Sequence, residues 1–85
     1  MAITDQELLP HALSLLHHRV KLAGKAAQQA VALHDLHGPD ALRECLQDQM
    51  HRGQKPEFLQ QVAQSLRHSG RPDIAAIHDE TANGW

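Results

Sequence analysis

Three short joints divide the second half of this chain into separate helices. The joints are His37-Gly38-Pro39-Asp40, the segment 51–57 and the segment 68–73, and each runs from a His through a Gly to a Pro and an acid. Gly closes the last turn of a helix in the left-handed conformation, and Pro fits the first position of the next helix. The helix dipole favours an acid at the start and a cationic His at the end. The joints therefore predict helices over 39–51, 56–68 and 72–79.

Apolar residues recur at helical spacing within these three segments, so each predicted helix has one apolar face. The predicted core residues are Leu42, Cys45, Leu46 and Met50, then Phe58, Leu59, Val62, Ala63 and Leu66, then Ile74 and Ile77. Residues 80–85 are predicted to be a frayed C-terminus.

A longer helix is predicted before the first joint. Thr4 and Glu7 have the spacing of a capping box, and Ile3 and Leu8 have that of a hydrophobic staple, so a helix is expected to start there. Because a Pro inside a helix removes a hydrogen bond and clashes with the preceding turn, we expect a kink or a fresh start near Pro10.

The apolar residues of this first helix form a seam with alternating spacings of four and three, typical of a coiled coil. The seam residues are Leu9, Leu13, Leu16, Val20, Ala23, Ala27 and Ala30, and the polar side carries Ser14, His18, Lys21, Lys25 and Gln28. A helix over 11–37 would be roughly 40 Å long, whereas a compact chain of this length is roughly 30 Å across. The helix therefore either breaks at Gly24 or extends beyond the body and needs another surface to cover it.

The fold class predicted from these patterns is all-α, a single domain over residues 1–85. It consists of one long helix, with Pro10 and Gly24 as candidate kink positions, and three shorter helices. The chain has 85 residues, and its hydrophobic content of 41% is mostly Leu and Ala, so we expect a thin core. A single Cys excludes an internal disulfide. Pairing of two chains along the Ala-rich first helix would supply the missing burial, and a homodimer is predicted.

Composition also limits the location and the chemistry. No apolar run approaches the roughly 18 residues of a membrane span, and the N-terminus lacks the regions of a signal peptide, so a cytoplasmic protein with no membrane partner is predicted. No phosphate-binding Gly loop and no catalytic pair of carboxylates is evident. We therefore expect no enzymatic activity and no cofactor. Cys45 is interpreted as a small buried hydrophobic residue.

Eight His residues are unusual in a chain of this length. His34 and His37 lie three residues apart on one helix face and are weak candidates for metal ligands. Four of the His residues, however, fall in the last turn of a predicted helix, where the dipole favours a positive charge. We therefore predict no metal site, and a metal- or pH-responsive factor remains a third possible function.

A basic stripe on the first helix indicates a binding function. Residues 8–34 contain Arg19, Lys21 and Lys25 and no acid. We expect a small protein–protein interaction module, an adaptor, chaperone-like factor or inhibitor, that uses helix–helix contacts with itself and with another protein. The predicted contact residues are Leu9, Leu13, Leu16, Val20 and Ala27 as apolar anchors and Arg19, Lys21 and Lys25 as steering charges.

Nucleic acid binding is the alternative. The stretch 46–59, with its Pro56-Glu57-Phe58 helix start and the following Val62 and Leu66, is similar to the middle of the small addiction-module antidotes that have a helix-turn-helix. This resemblance implies a DNA-associated regulator or antidote. A formal net charge of −2 and the lack of aromatic residues among the basic ones favour a protein partner over nucleic acid.

Overall fold

The protein is built from four α-helices. The computed structural model describes the backbone from residue 5 to residue 85 and the side chains from residue 21 to residue 85, and this part of the chain contains no β-strand. The all-α prediction is confirmed. The helices are α1 Asp5–His37, α2 Pro39–His51, α3 Pro56–His68 and α4 Pro72–Asn83.

The three Gly-Pro joints end and start the helices as predicted. Gly38, Gly53 and Gly70 have φ values of 91°, 96° and 78°, in the left-handed region that Gly adopts without steric cost. A Pro begins each of the following helices. Both bounds of α2 and α3 agree with the predicted ranges because these signals are local in the sequence.

The last helix is longer than predicted. It continues to Asn83, four residues beyond the predicted end at 79. Ala82 is buried, and the buried Thr81 hydroxyl donates a hydrogen bond to the Ile77 carbonyl at 3.0 Å. Residues 80–83 of the segment predicted to be frayed are thus helical in this structure, because packing holds this turn in place.

The C-terminal residue is attached to α2. The Trp85 indole N–H donates to Gln47 Oε1 at 3.3 Å, and the Trp85 ring meets the His51 ring edge-on with centroids 4.7 Å apart. These two contacts connect the end of α4 to a helix 38 residues earlier in the sequence.

The core lies where α3 and α4 pack against each other and against one side of α1 and α2. Large aliphatic residues come from α2, α3 and α4, whereas α1 contributes Ala to the buried set. The predicted core pattern is confirmed for α2, α3 and α4, except that Cys45 and Phe58 are only half-buried. The fully buried residues with the largest side chains are Leu42, Leu59, Leu66, Ile74 and His78.

The helical backbone of α1 is uninterrupted at Gly24, so the predicted alternative of a break there is not observed. The predicted capping and staple residues, Ile3, Thr4, Glu7 and Leu8, and the predicted kink at Pro10 lie outside the residues described in full. Within the described residues, no helix combines the length and apolar character that a membrane span needs.

Two Gly→Ala substitutions should have opposite effects on stability. Gly24 is helical and a Cβ added there meets no atom within 4 Å, so Gly24→Ala should raise the free energy of unfolding by about 0.5–1 kcal/mol. Gly53 has a φ of 96°, so Gly53→Ala should lower it by about 1–2 kcal/mol. Urea denaturation followed by circular dichroism measures both. A change of the same sign in the two variants would contradict this account of the backbone.

Candidate functional site

One side of α1 is used by the protein itself. Ala23, Ala27 and Ala30 are 4%, 4% and 6% exposed and belong to the hydrophobic core. Because Ala has no side chain beyond Cβ, the helices packed on it approach closely. Ala27 was predicted to contact a partner, but in this structure it is a core residue that the protein's own helices cover.

The opposite side of α1 presents charge and apolar surface together. Lys21, Leu22, Lys25 and Gln28 are exposed and line one shallow depression. Leu22 is 45% exposed, and neither Lys forms an ion pair with any described residue. Both predicted steering charges that the structure describes are therefore exposed and form no ion pair within residues 21–85. Leu22 is absent from the predicted contacts, although its place between the two Lys residues is visible in the sequence.

The remaining predicted contact residues belong to the earlier part of α1. Leu9, Leu13, Leu16, Arg19 and Val20 lie outside the residues whose side chains the structure describes.

The two weak metal candidates lie in the last turn of α1, as predicted. His34 Nδ1 lies 3.1 Å from Asp35 Oδ1, and His37 is exposed. Among residues 21–85, no group of three or more His, Cys, Asp or Glu side chains is arranged to hold a metal ion. The pair therefore has no third ligand in the described part of the chain.

Asp35, the residue next to His34, forms an ion pair with Arg71. Both oxygens of Asp35 accept hydrogen bonds from the Arg71 guanidinium at 2.9 Å, and Arg71 also contacts Asp73 at 3.3 Å. The hydrogen bonds from Arg71, and then that from His34, hold the pKa of the Asp35 carboxyl well below its ordinary value. This bidentate pair joins the end of α1 to the start of α4.

A small cleft of about 100 Å³ lies between α1, α2 and α3 and reaches α4 at its inner end. Leu42, Leu46, Leu59 and Val62, all buried, form its inner wall. The residues at its mouth are polar or half-buried: Gln29, Cys45, Gln49, Ala26 and Phe58. The lining is thus mostly apolar with a few polar groups, as in small-molecule sites, but the volume is below the roughly 300–1,000 Å³ of such sites.

His78 lies at the inner end of the cleft and is only 2% exposed. Its Nδ1 is 2.9 Å from the Ile74 carbonyl oxygen, and since a carbonyl can only accept, Nδ1 carries the proton and donates. Burial lowers the pKa of the imidazole below 6.5 and outweighs the Ile74 hydrogen bond and the charge of Asp79, which both act in the other direction. The ring is therefore neutral at pH 7.

His78 is absent from the predicted functional residues, although the sequence contains a signal for it. It follows Ile74 by four residues and precedes Thr81 by three, so it falls on the apolar side of α4. A titratable residue at such a position is expected to be buried.

Cys45, the single Cys of the chain, is half-buried at the mouth of this cleft. Its sulfur accepts a weak hydrogen bond from the Gln49 amide nitrogen at 3.7 Å. The predicted interpretation as a small hydrophobic residue agrees with its place on the apolar side of α2.

Comparison of the chain with protein-family models, curated proteins and solved structures gave no match. A function must therefore be argued from the surfaces of α1 and from the cleft.

The burial of His78 predicts a pH dependence of stability. In the unfolded chain the His78 imidazole takes up a proton near pH 6.5, whereas burial opposes this protonation in the folded chain. The contribution of His78 to the free energy of unfolding is therefore fully present above pH 6.5 and is lost as the pH falls below it. His78→Phe should therefore lose less stability than the wild type between pH 7.5 and pH 5.5, because it has no buried imidazole to protonate. The matched control is His68→Phe, which makes the same replacement at the exposed end of α3, outside the core. Equal profiles for wild type and His78→Phe in thermal unfolding would contradict the neutral buried imidazole.

Proposed function

We propose that the protein is a non-enzymatic protein–protein interaction module that forms a homodimer through its first helix. One observation carries this proposal. The buried residues Ala23, Ala27 and Ala30 are the C-terminal part of a regular apolar seam, and the same spacing continues toward the N-terminus. Helical periodicity places the earlier seam residues on the same side of the helix. Those residues are Leu9, Leu13, Leu16 and Val20.

The lengths of the helices support this proposal. Helices α2, α3 and α4 contain 13, 13 and 12 residues, so each is roughly 20 Å long. A single helix with the bounds of α1 would be roughly 50 Å long. We propose that the first helix is such a continuous rod and that its N-terminal half extends past the body. The protein's own short helices cannot cover a seam of that length.

The charge distribution favours a second copy as the occupant of the seam. Residues 8–34 carry a net charge of +3, while residues 35–85 carry eight acids and five basic residues, a net charge of −3. On α2, the exposed acids Asp40, Glu44 and Asp48 follow each other at intervals of four residues. Although the whole of α1 is neutral because Asp5, Glu7 and Asp35 balance its three basic residues, the basic segment 8–34 of one copy is attracted to the acidic segment 35–85 of another, which guides the encounter before apolar contact forms.

In this proposal, Leu9, Leu13, Leu16 and Val20 are the apolar anchors, and Arg19, Lys21 and Lys25 are the steering charges. Ala27 is left out because it belongs to the protein's own core. Pairing of two chains stabilises a small domain whose core is thin. The dimer then offers a paired helical surface to a further protein, which is the role of an adaptor, a chaperone-like factor or an inhibitor.

Light scattering over a tenfold dilution measures the proposed association. The wild type should have the mass of two chains at high concentration. Leu16→Asp places a charge in the seam and should give the mass of one chain at every concentration, because an unpaired carboxylate cannot be buried in the interface. Ser14→Asp adds the same charge on the polar side of the helix and is the matched control, which should remain dimeric.

Two results would contradict the proposal. A wild type with the mass of one chain throughout the dilution would exclude the homodimer. A Leu16→Asp variant that unfolds at a lower temperature but keeps the mass of two chains would place the seam in the core of each copy. Binding to DNA with a steep salt dependence, lost in Lys21→Glu combined with Lys25→Glu, would favour the nucleic acid alternative.

A further inference from the structure

We propose that the cleft between α1, α2 and α3 is a binding site for a small neutral alcohol with an apolar body of about four carbons. The hydroxyl of this ligand donates a hydrogen bond to Nε2 of His78, and the carbon chain lies against the aliphatic inner wall. The proposal does not depend on the dimer, since every lining residue belongs to one chain.

The inner end of the cleft offers a hydrogen-bond acceptor. Nδ1 of His78 donates to Ile74, so Nε2 of the neutral ring carries a lone pair. Nε2 has no hydrogen-bond partner among the residues whose side chains the structure describes. Because His78 is one of the residues that line the cleft, the proposal takes the Nε2 lone pair to face this space.

The walls select a neutral ligand. Leu42, Leu46, Leu59 and Val62 cannot compensate a charge, and no Lys, Arg, Asp or Glu among the described residues lines the cleft. A carboxylate or an ammonium group would lose its hydration there without gaining a partner of opposite charge. A neutral donor, in contrast, satisfies Nε2 at little desolvation cost.

The volume limits the size of the ligand. An apolar cavity of roughly 150 Å³ holds benzene, and this cleft has about 100 Å³. By this comparison, the cleft accommodates a ligand of about five heavy atoms. Polar substituents of a longer ligand would meet Gln29 and Gln49 at the mouth.

A pair of isomers tests the hydrogen bond without a change in size. Butan-1-ol and 1-methoxypropane have the same atoms, but only the alcohol has a donor. Butan-1-ol is titrated into the wild type at pH 7.5, and ¹H–¹⁵N spectra that include the His78 side-chain nitrogens monitor its binding. The binding of butan-1-ol should be saturable. Its dissociation constant should be at least about fivefold lower than that of the ether, the change expected for one net hydrogen bond.

Cys45 at the mouth provides a second measurement on the unmodified protein. Butan-1-ol at saturating concentration should slow alkylation of Cys45 by iodoacetamide, because the ligand and the reagent compete for the same opening. The ether at the same concentration should protect less.

Substitution of His78 should remove the discrimination between the isomers. His78→Phe keeps a planar ring but has no acceptor, so both isomers should bind with affinities within about twofold of each other. His68→Phe, on the exposed end of α3, is the control and should keep the fivefold preference. If His78→Phe does not fold, the comparison of isomers on the wild type still decides the question. Equal binding of the isomers to the wild type, no protection of Cys45, or a proton found on Nε2 would each overturn the proposal.

Discussion

The packing of short Ala side chains on one side of α1 against the aliphatic residues of the other helices is the constraint on which the rest of the structure depends. Ala23, Ala27 and Ala30 add almost no bulk, so the larger side chains of α2 and α3 fill the space beside α1. A Leu or Ile at these positions would separate the helices and overpack the core. Close approach on this side leaves the other side of α1 outside, with Lys21 and Lys25 exposed. The division of α1 into a core side and a free side follows from residue size alone.

The buried residues Ile74, Ala75, Ile77 and Ala82 hold α4 in the core, and with it the His78 ring, and two contacts between distant parts of the sequence add to this attachment. At its start, the ion pair of Arg71 with Asp35 connects α4 to the end of α1. Past its end, Trp85 is held by Gln47 on α2. Rotation of α4 about its axis would expose these buried residues as well as break both contacts. His78 therefore keeps its place at the inner end of the cleft, where a rotation would exchange it for an exposed neighbour such as Ala76.

The parts of this structure that were predictable are those decided by neighbours in the sequence. The left-handed Gly at each joint and the Pro after it gave the bounds of α2 and α3 because both residues act on the local backbone. The continuation of α4 to Asn83 depends on the burial of Thr81 and Ala82 against the core, which no local pattern contains. Periodicity likewise identified the apolar side of α1 but not its neighbour, so Ala27 was assigned to a partner while the core covers it. The role of His78 depends on the shape of the space between four helices, which spacing alone does not give.

The proposed dimer and the proposed cleft share one element, and this has a thermodynamic consequence. Ala26 and Gln29 of α1 line the cleft, and the seam of the same helix passes through Ala23, Ala27 and Ala30. Any change in the angle of α1 on association alters the width of the cleft as well. If pairing of two chains changes the affinity for an alcohol by some factor, occupation of the cleft changes the affinity of pairing by the same factor. A ligand in the cleft is then able to favour or oppose the dimer without touching its interface, provided that α1 moves as a rigid rod.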